Sequence, residues 1–404
     1  MNLYDLTVVG GGPAGATCAR RAAEAGLDVV LLEKAQHPRE KPCGGALGPQ
    51  TIQNLELDIS SVIEQTFNAA VVHTPSGHVV TLSSKELIGH IVTRSKFDGY
   101  LLQEAEEAGV EVVQGVEVVG LEQLRSGIRT LVVGDSYKSH LLVGADGVNG
   151  ILAKELGIRS KWAPEQVGVC IVAEAPMSSI DFESAMTTHG VERSPAIEFY
   201  FGLVSWGYGW CFPKKEGFNI GIGCRVDKSE NLQNAWEKLV ALLEREKGIE
   251  LDVSNKVSYR VPLGDRLKRC IARRSMLIGD AAGLVSPLTG EGISYAIQSG
   301  DLAAKVASEV VDMKKPLHVV EYEKQLKKTI GRELADTRWI SGILHRSYRN
   351  TDLLFQIAAE DSVMQEYLTN LVSRVTPFSE VRTKIVKRML SKHPVKSIKL
   401  GLSV

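Results

Sequence analysis

The transition from an apolar run at 6–9 into a glycine-rich turn at 10–15 restricts the possible folds of this chain more than any other feature. The turn leads into a stretch of helical character at 14–25, and Gly26 stands where a helix C-cap favours glycine. A second apolar run at 29–32 has the continuous hydrophobic character of a parallel strand that is covered on both faces. Strand, turn, helix and strand together predict a Rossmann-like α/β domain.

Each glycine of this Gly-x-Gly-x-x-Gly turn has a mechanical role. Gly10 permits the tight turn, Gly12 lets the backbone approach a pyrophosphate, and Gly15 allows the helix to pack closely on the strand. The free N–H groups and the positive end of the helix dipole would bind the pyrophosphate. Glu33 ends the second strand, where an acid can hold the ribose hydroxyls of an adenosine. The segment therefore predicts a dinucleotide site.

Composition narrows the class of protein. The chain has 404 residues, which predicts two or three domains, and its 44% hydrophobic and 24% charged residues are those of an ordinary globular protein. A formal net charge of −1 argues against a nucleic-acid partner. No signal peptide is visible, and no apolar run reaches the roughly eighteen residues of a spanning helix. We therefore expect a cytoplasmic protein with, at most, peripheral membrane contact.

The cysteines stand singly, without a Cys-x-x-Cys pair or a histidine cluster at metal spacing. This pattern argues against a zinc or iron–sulfur site and is typical of reduced cytosolic thiols. They are Cys18, Cys43, Cys170, Cys211, Cys224 and Cys270. Cys43 lies in a loop at 41–49 that is rich in glycine and proline and follows the strand with the ribose acid. The loop can run along the cofactor, or Cys43 can be a small hydrophobe in a surface turn.

Further segments continue the pattern of apolar strands that end in glycine and acid. The run 141–147 contains Asp146, and the run 275–283 contains Asp280, which can bond sugar or ribityl hydroxyls. A glycine-rich loop at 286–293 then opens a helix at 294–311, whose positive end would face the ligand. The first domain therefore continues across inserted segments.

The segment after residue 92 predicts a helix that begins with a capping box. Ser95 and Asp98 have the spacing of such a box, and Gly109 ends the helix after Ala108. Arg94 precedes this start, so it can face a phosphate or the cofactor. The alternative is a solvated surface arginine.

A strand at 206–214 alternates glycine and large aromatic residues. Tyr208, Trp210 and Phe212 lie two residues apart, so in a strand their rings project from one face. Such a face is either the core of a sheet packed on itself or, because of the glycines and Pro213, a surface that a ligand approaches closely. We favour an aromatic pocket wall.

The fold predicted for the whole chain is α/β, a Rossmann-like dinucleotide-binding domain with an inserted antiparallel β-sheet domain and a C-terminal helical region. The resemblance described below makes these an FAD-binding domain, comprising 1–66, 90–164 and 261–315, a substrate domain, comprising 67–89 and 165–260, and the helical region 316–404. A hairpin is expected at 67–83 and a helix at 230–247.

The segment 381–404 is basic and free of acids. Ile385, Val386, Met389 and Leu390 recur at helical spacing between cationic side chains, and Pro394 would interrupt the helix and leave a flexible end. Two interpretations remain open, an amphipathic helix at an anionic membrane surface and a helix docked on the FAD domain by the same apolar side.

These segments together resemble the glutathione-reductase-type FAD proteins of the aromatic-hydroxylase structural group. The glycine turn with its acid, the motif at 144–147 and the Gly279-Asp280 motif match in order over roughly the first three-quarters of the chain. Within that group, Lys-Pro-Cys-Gly-Gly at 41–45 and Tyr-Gly-Trp-Cys-Phe-Pro at 208–213 resemble the two signatures of the geranylgeranyl reductases. That family saturates carbon–carbon double bonds in prenyl chains.

The resemblance implies FAD as cofactor and a role for each matching residue. The implied cofactor-binding residues are Gly10 and Gly12 of the glycine turn, Ala14, Gly15 and Glu33 at the ADP half, Glu117 near the adenine through its backbone, Arg94 beside the cofactor, Cys43, Gly44 and Gly45 at the flavin ring, Asp280 on the ribityl chain, and Gly290, Gly292 and Ile293 under the pyrimidine edge. Tyr208, Trp210 and Phe212 would line the prenyl cavity. Cys43 is the candidate catalytic residue.

The chemistry is consistent with this resemblance. An isolated alkene needs a hydride donor, which reduced flavin provides and no side chain does. A prenyl double bond also needs a proton and develops positive charge, so a neutral acid and water-free aromatic walls favour the reaction. A thiol is mostly protonated at neutral pH, so Cys43 could donate that proton or control access to it. A bound water or the flavin itself could serve equally.

Two other functions remain open at this stage. The aromatic motif also resembles that of the flavin halogenases, so a flavin-dependent monooxygenase or halogenase of this fold is one alternative. A non-catalytic prenyl-binding protein is another, against which Glu33 and Asp280 argue. The sequence leaves open whether the prenyl chain is carried by a lipid, a quinone or a tetrapyrrole. It also leaves open whether NADPH or reduced ferredoxin donates electrons, since no second Gly-x-Gly-x-x-Gly is present.

Overall fold

The computed structural model describes residues 3–186, 195–264, 269–374 and 376–401. Short parts of the predicted substrate domain (187–194), FAD domain (265–268) and helical region (402–404) lie outside the described residues. The strands of the described residues are β1 (Leu3–Val9), β2 (Val29–Glu33), β3 (Ala46–Leu47), β4 (Ile63–Phe67), β5 (Ala69–His73), β6 (Val79–Ser83), β7 (Gly89–Val92), β8 (Glu111–Gln114), β9 (Val118–Gln123), β10 (Ile128–Val132), β11 (Asp135–Gly144), β12 (Val167–Pro176), β13 (Ala196–Tyr200), β14 (Gly207–Lys214), β15 (Gly217–Arg225), β16 (Val257–Pro262), β17 (Ile271–Ala272) and β18 (Ser275–Leu277). The helices are α1 (Pro13–Glu24), α2 (Pro49–Leu55), α3 (Arg94–Glu107), α4 (Leu152–Glu155), α5 (Ser179–Met186), α6 (Leu232–Lys247), α7 (Gly279–Ala282), α8 (Ile293–Met313), α9 (Val320–Lys328), α10 (Ile330–Leu344), α11 (Tyr348–Glu360), α12 (Ser362–Ser373), α13 (Phe378–Lys392) and α14 (Pro394–Leu400).

The first sheet has the order β17-β18-β11-β1-β2-β8, and β10 and β9 extend it from β11. The pairs from β18 to β8 are parallel. Backbone hydrogen bonds hold their carboxyl ends level, since the N–H of Gly10 donates to Leu32 and that of Ala145 donates to Val9, each at 2.8 Å. A sheet of this kind binds its ligand beyond these ends, which is where the predicted acids and glycine turns lie.

Helices α1 and α8, both predicted from the sequence, pack against each other beside this sheet. The close contact depends on small residues, because a Cβ on Gly300 would lie only 2.5 Å from the carbonyl oxygen of Ala14. A Cβ on Gly279, just after β18, would lie 2.9 Å from Cβ of Ala14 and 3.6 Å from Cβ of Ala296, so the first turns of both helices lie at this end of the sheet.

The second sheet has the order β16-β12-β15-β14-β13-β5-β6. Its pairs are antiparallel apart from β13 with β5, which is parallel. The predicted hairpin is confirmed as β5 and β6, and the predicted helix as α6. Leu239 and Leu243 of α6 pack with Cys211 on one face of the sheet, whereas Phe212 belongs to the hydrophobic cluster on the other face. The alternation of β14 therefore directs its aromatic residues away from α6.

A small third sheet, β3-β7-β4, fixes the loop that contains Cys43. Gly45 has φ +74°, and a Cβ there would overlap the carbonyl oxygen of Val92. The N–H of Val92 donates to the carbonyl of Gly45 at 2.9 Å. The position therefore requires glycine for both its conformation and its close contact with β7.

The predicted capping box at the start of α3 is wrong. The helix begins at Arg94, Thr93 is its N-cap residue, and no side chain caps it. Asp98 instead accepts two hydrogen bonds from Arg94, at 2.7 and 2.8 Å. The carboxylate of Asp98, which the predicted capping box would pair with Ser95, is therefore engaged in a buried ion pair instead.

The C-terminal helices pack on the hairpin of the second sheet. Helices α11 and α12 contact β6, whereas α13, with Ile385 and Met389 buried, packs on α10 and α12. This is the docked interpretation of the segment, with neighbouring C-terminal helices rather than the FAD domain as the docking surface. Residues after Pro394 form α14 instead of the flexible end that the sequence predicted.

No helix in the described ranges combines the length and the hydropathy that crossing a bilayer requires.

Candidate active site

In the glycine-rich turn there is space for a ligand beside Gly12, whereas the protein's own backbone packs tightly against Gly10 and Gly15. A Cβ on Gly10 would overlap the carbonyl of Ala145, and a Cβ on Gly15 would overlap the carbonyl of Gly10. A Cβ on Gly12 would meet only the Nη2 of Arg39, at 3.4 Å. Gly12 is the N-cap of α1 and has no side chain to satisfy the first N–H groups. The opening at Gly12 therefore presents free donors to a ligand, and Ala14 follows within the first turn.

Glu33 lies buried at the end of β2 with both carboxylate oxygens engaged. Oε2 accepts from the N–H of Gly11 at 2.5 Å, and Oε1 accepts from the N–H of Ala35 at 2.8 Å. Each oxygen keeps a further lone pair, so a sugar hydroxyl can still donate to this carboxylate. Glu117 is exposed, and its neighbour Val116 donates to the carbonyl of Glu33 at 3.0 Å. The structure thus brings the backbone near Glu117 beside the predicted ribose acid.

The loop that opens α8 lies next to Asp280. Gly292 is the N-cap of α8, and a Cβ there would be 3.4 Å from Oδ1 of Asp280. Gly290 has φ +66°, and a Cβ there would be 3.4 Å from the hydroxyl of Tyr208. The loop from Gly290 to Ile293 therefore lies between the sheet edge and the aromatic strand.

Arg94 and Asp98 form an ion pair in the interior, so the alternative of a solvated Arg94 is wrong. Burial opposes the charged form of Asp98, but Arg94 and Arg39 hold the pKa of that carboxyl below its ordinary value. Burial likewise opposes the charged form of Arg94, but the carboxylate of Asp98 raises the pKa of the guanidinium, which also lies within hydrogen-bonding reach of the Cys43 sulfur. Both groups are therefore charged at neutral pH, and a guanidinium charge lies next to the sulfur of Cys43.

A cavity of about 500 Å³ connects the Cys43 loop, the aromatic strand and the loop before α8. The predicted residues that line it are Cys43, Gly44, Gly45, Tyr208, Trp210, Phe212, Gly290, Gly292 and Ile293. The other predicted residues, Gly10, Gly12, Ala14, Gly15, Glu33, Arg94, Glu117 and Asp280, do not line it. The site therefore has two parts, a polar cleft at the sheet edge and a largely apolar cavity.

The three aromatic residues of β14 form one wall of this cavity. A Cβ on Gly44 would be 2.7 Å from the ring of Phe212 and 3.4 Å from Nε1 of Trp210, so only glycine fits there. Burial raises the pKa of Tyr208, whose hydroxyl donates to the carbonyl of Thr289. The aromatic wall thus contacts both loops that were predicted to surround the flavin.

Comparisons with known proteins agree with this geometry. A family model described as an FAD binding domain matches residues 4–324. Digeranylgeranylglycerophospholipid reductase 1 of Methanococcoides burtonii is 31% identical over 352 residues, which cover 82% of each chain. A digeranylgeranylglycerophospholipid reductase of Methanocaldococcus jannaschii is 27% identical over 403 residues, which cover 97% of this chain and 96% of the relative. This chain belongs to the geranylgeranyl reductase family.

Solved structures add evidence on the fold of this reductase-family chain. A geranylgeranyl bacteriochlorophyll reductase-like protein of Thermoplasma acidophilum has a TM-score of 0.80 at 24% identity, and the match covers 99% of both chains. The flavin-dependent brominase Bmp2 has a TM-score of 0.72 at 19% identity, with 97% of this chain and 100% of that chain covered. At these identities the likeness shows the fold alone, so the brominase carries no argument for halogenation. The predicted fold class is confirmed.

Membership of the geranylgeranyl reductase family makes the chain an FAD-dependent oxidoreductase that acts on carbon–carbon bonds. The residues of the polar cleft fit the cofactor, because the opening at Gly12 combines free N–H groups with the guanidinium of Arg39. Lys41 Nζ lies 3.4 Å from Oδ2 of Asp280, which places a second cation in the same cleft. FAD is thus the cofactor of this family member, and the role of each residue in holding it stays a prediction.

Sequence reasoning missed Arg39 and Lys41. Arg39 lies in the polar segment between the ribose acid and the Cys43 loop, and Lys41 is the first residue of that loop, but neither was assigned a role. The available signal was the density of basic residues directly after a strand that ends in an acid, because a diphosphate needs cations near the glycine turn.

Proposed function

We propose that this geranylgeranyl reductase family member saturates carbon–carbon double bonds in a geranylgeranyl or polyprenyl chain carried by a lipid, a quinone or a tetrapyrrole. The observation that carries the proposal is the apolar cavity between the Cys43 loop, the aromatic wall and the loop before α8. A cavity of this character favours a hydrocarbon chain over a polar substrate. The names of the curated relatives favour a glycerophospholipid with two geranylgeranyl chains among these carriers.

The reaction needs two electrons and a proton at an unactivated alkene. FAD, when bound and reduced, supplies hydride chemistry that no side chain offers. One alkene carbon gains the hydride, the other gains a proton, and two C–H bonds replace the π bond. The rings of Tyr208, Trp210 and Phe212 exclude water from the alkene, and their faces stabilise the positive charge that develops on its more substituted carbon.

We assign Cys43 as the donor of the proton that the alkene receives. Its sulfur accepts a weak hydrogen bond from the N–H of Gly45 at 3.4 Å, which orients the thiol within the loop. A thiolate left after proton transfer would lie beside Arg94, whose positive charge would stabilise it. Water would then return the proton.

Incubation of dithionite-reduced enzyme with candidate prenyl lipids, followed by mass spectrometry, tests the function. Dithionite reduces the flavin directly, so the test does not depend on whether NADPH or reduced ferredoxin is the natural electron donor. We expect a gain of about two mass units for each double bond reduced. Oxygen consumption with a hydroxylated or halogenated product and no hydrogenated one would instead identify a monooxygenase or halogenase.

Trp210→Ala should weaken prenyl reduction or redirect it to other double bonds. Removing the ring deletes an apolar contact worth about 1.5–3 kcal/mol, which corresponds to about tenfold or more in KM. Stopped-flow absorbance should show that dithionite still reduces the flavin normally. The control is Trp339→Ala, which removes an indole from α10, where it lies beside Arg382. Unchanged KM and product distribution in Trp210→Ala would make the aromatic residues a structural core.

We also propose that the enzyme contacts the membrane surface through α14. Val395 and Ile398 are 64% and 75% exposed, three residues apart on a short helix that also carries Lys399. A Cβ on Gly401, which ends α14, would overlap the guanidinium of Arg346, so a second cation adjoins this helix. His345, the preceding residue, lines the cavity. Exposed apolar side chains beside cations fit an anionic leaflet, and the site lies near the cavity that a lipid must enter.

Co-sedimentation with liposomes tests this surface. Val395→Glu combined with Ile398→Glu should reduce pelleting with anionic vesicles, because two charges replace apolar side chains at the interface. The matched control is Val133→Glu, at a residue that is 84% exposed in the turn between β10 and β11. Wild-type binding should fall as salt rises, since each cation contributes about 1 kcal/mol near an anionic surface. Equal pelleting of the double variant and the wild type would place the contact elsewhere.

A further inference from the structure

A chain of hydrogen bonds runs from the indole of Trp210 across the cavity wall. The indole Nε1–H donates to Oδ1 of Asn219 at 2.8 Å, and Nδ2 of Asn219 donates to Oε1 of Glu174 at 2.9 Å. The ammonium of Lys214 donates to the same carboxylate oxygen at 2.7 Å and to the hydroxyl of Thr93 at 3.1 Å. Thr93 is the N-cap residue of α3, so the chain joins the aromatic wall to the start of that helix.

Strand register places these groups side by side. Asn219 on β15 pairs with Phe212 on β14 and with Glu174 on β12, so the three side chains share one face of the sheet. Asn219 is fully buried. It is a polar side chain held against an apolar cavity wall.

The bonding pattern requires a side chain at position 219 that both accepts and donates. The indole N–H of Trp210 can only donate, and the carboxylate of Glu174 can only accept. The group between them must accept on one side and donate on the other, which an amide does with two atoms held in one plane. The same argument assigns the oxygen of Asn219 to the indole and its nitrogen to the carboxylate.

Close packing against two glycines restricts the indole of Trp210 independently of this hydrogen bond. A Cβ on Gly221, which pairs with Trp210 across the strands, would overlap the indole ring. On the other side, a Cβ on Gly44 would be 3.4 Å from Nε1. The ring thus fills the space that two glycines leave, and its hydrogen bond to Asn219 selects one orientation beside the Cys43 loop.

We infer that Asn219 is a positioning residue that fixes the Trp210 indole and thereby determines which double bonds of the substrate are reduced. This inference rests on the proposed prenyl reduction. The orientation of the indole sets the shape of the cavity beside Gly44, so it sets how far an isoprenoid chain can advance past the loop that carries Cys43. Asn219 acts only through Trp210 and touches neither substrate nor cofactor.

The first measurement is independent of activity. In protein with ¹⁵N-labelled tryptophan, the indole resonance that disappears in Trp210→Phe identifies Trp210 among the five tryptophans. Asn219→Leu should shift this resonance and speed exchange of the indole proton with solvent. Asn219→Asp keeps an acceptor for the indole but loses the donor to Glu174 and places two carboxylates side by side, so it should also shift the resonance. A resonance that is unchanged in Asn219→Leu would overturn the inference.

The second measurement is the distribution of products over the double bonds of a geranylgeranyl lipid, again with dithionite as donor. Asn219→Leu and Trp210→Phe should change it in the same way, with about a tenfold shift in the ratio of partly to fully reduced product. The double variant should match either single variant, because both remove the same hydrogen bond. Asn219→Asp should also change the distribution, because it removes the amide donor to Glu174.

Asn350→Leu is the matched control, because it removes another buried amide, one that donates to the carbonyl of Ile343 at 2.9 Å. It should leave both the Trp210 resonance and the product distribution unchanged, and similar changes in this variant would mean a general loss of packing. If Asn219→Leu does not fold, Trp210→Phe decides, and a wild-type product distribution in that variant overturns the inference. Absence of prenyl reduction in the wild type would refute the proposed function instead, and the resonance measurement would still test the hydrogen bond.

Discussion

Gly12→Val should give a protein that folds normally and purifies without its yellow flavin. A Cβ at this position would meet only the end of the Arg39 side chain, so the protein itself has room for the larger residue. The added side chain would occupy the opening at the N-terminus of α1, where a pyrophosphate must approach the N–H groups. Losing several charge-assisted hydrogen bonds should weaken FAD binding by about 100-fold or more.

The flavin absorbance of the purified protein and its circular dichroism measure these two outcomes separately. Gly10 and Gly15 are unsuitable for the test, because a Cβ on either would overlap the backbone of the protein. Gly99→Val in α3 is the control, since a Cβ there meets nothing within 4 Å. A Gly12→Val protein with full flavin occupancy would show that the turn does not hold the pyrophosphate.

Cys43→Ala should keep the flavin and lose most of the alkene reduction. The thiol lines the cavity beside Arg94, and FAD binding depends on backbone groups and on the polar cleft rather than on this side chain. General acid catalysis contributes about 10²–10⁴-fold, so the rate of product formation should fall by about that factor. Rapid mixing with dithionite should show unchanged reduction of the flavin.

Cys211→Ala is the matched control for this variant. Cys211 lies on the same strand as the aromatic wall, but its side chain packs under α6 on the opposite face. Cys43→Ser keeps a hydroxyl proton and should retain part of the activity. If Cys43→Ala turns over as fast as the wild type, the thiol is a packing residue and the proton comes from water or from the flavin.

The cofactor cleft was predictable because its signals are local. A tight turn needs Gly10, an open helix start needs Gly12, and a buried parallel strand needs a continuous apolar run, so each requirement can be read within a few residues. The same holds for the period-2 spacing of Tyr208, Trp210 and Phe212. Side chains two residues apart in a strand share one face, whether that face packs against protein or lines a cavity.

Interactions between distant segments escaped prediction. Ser95 and Asp98 have capping-box spacing, yet Asp98 pairs with Arg94 one helical turn earlier and with Arg39 from another loop. Local spacing carries no information about a cation that arrives from another loop. Asn219 gave no signal at all, because its partners Trp210 and Glu174 lie on two neighbouring strands.

The C-terminal segment shows a different limit of prediction from sequence. A helix with an apolar side has the same periodicity whether that side meets lipid or protein. Ile385 and Met389 are buried because α13 packs on α10 and α12, and the periodicity of α13 alone does not show that these helices lie opposite it.

The parallel pair of β5 with β13 has a consequence for the order of folding. The chain makes β5 at residue 69 and its partner only at residue 196, after β11 of the cofactor sheet has been completed. The hairpin β5–β6 can close by itself within microseconds, but one edge of it waits unpaired for the later strand. The wall of the cavity therefore lacks part of its sheet until the chain has been made through β14, by which point β1, β2, β8 and β11 have also been made. A fragment that ends before residue 196 would leave β5 without its parallel partner, so we expect it to expose an unpaired strand edge.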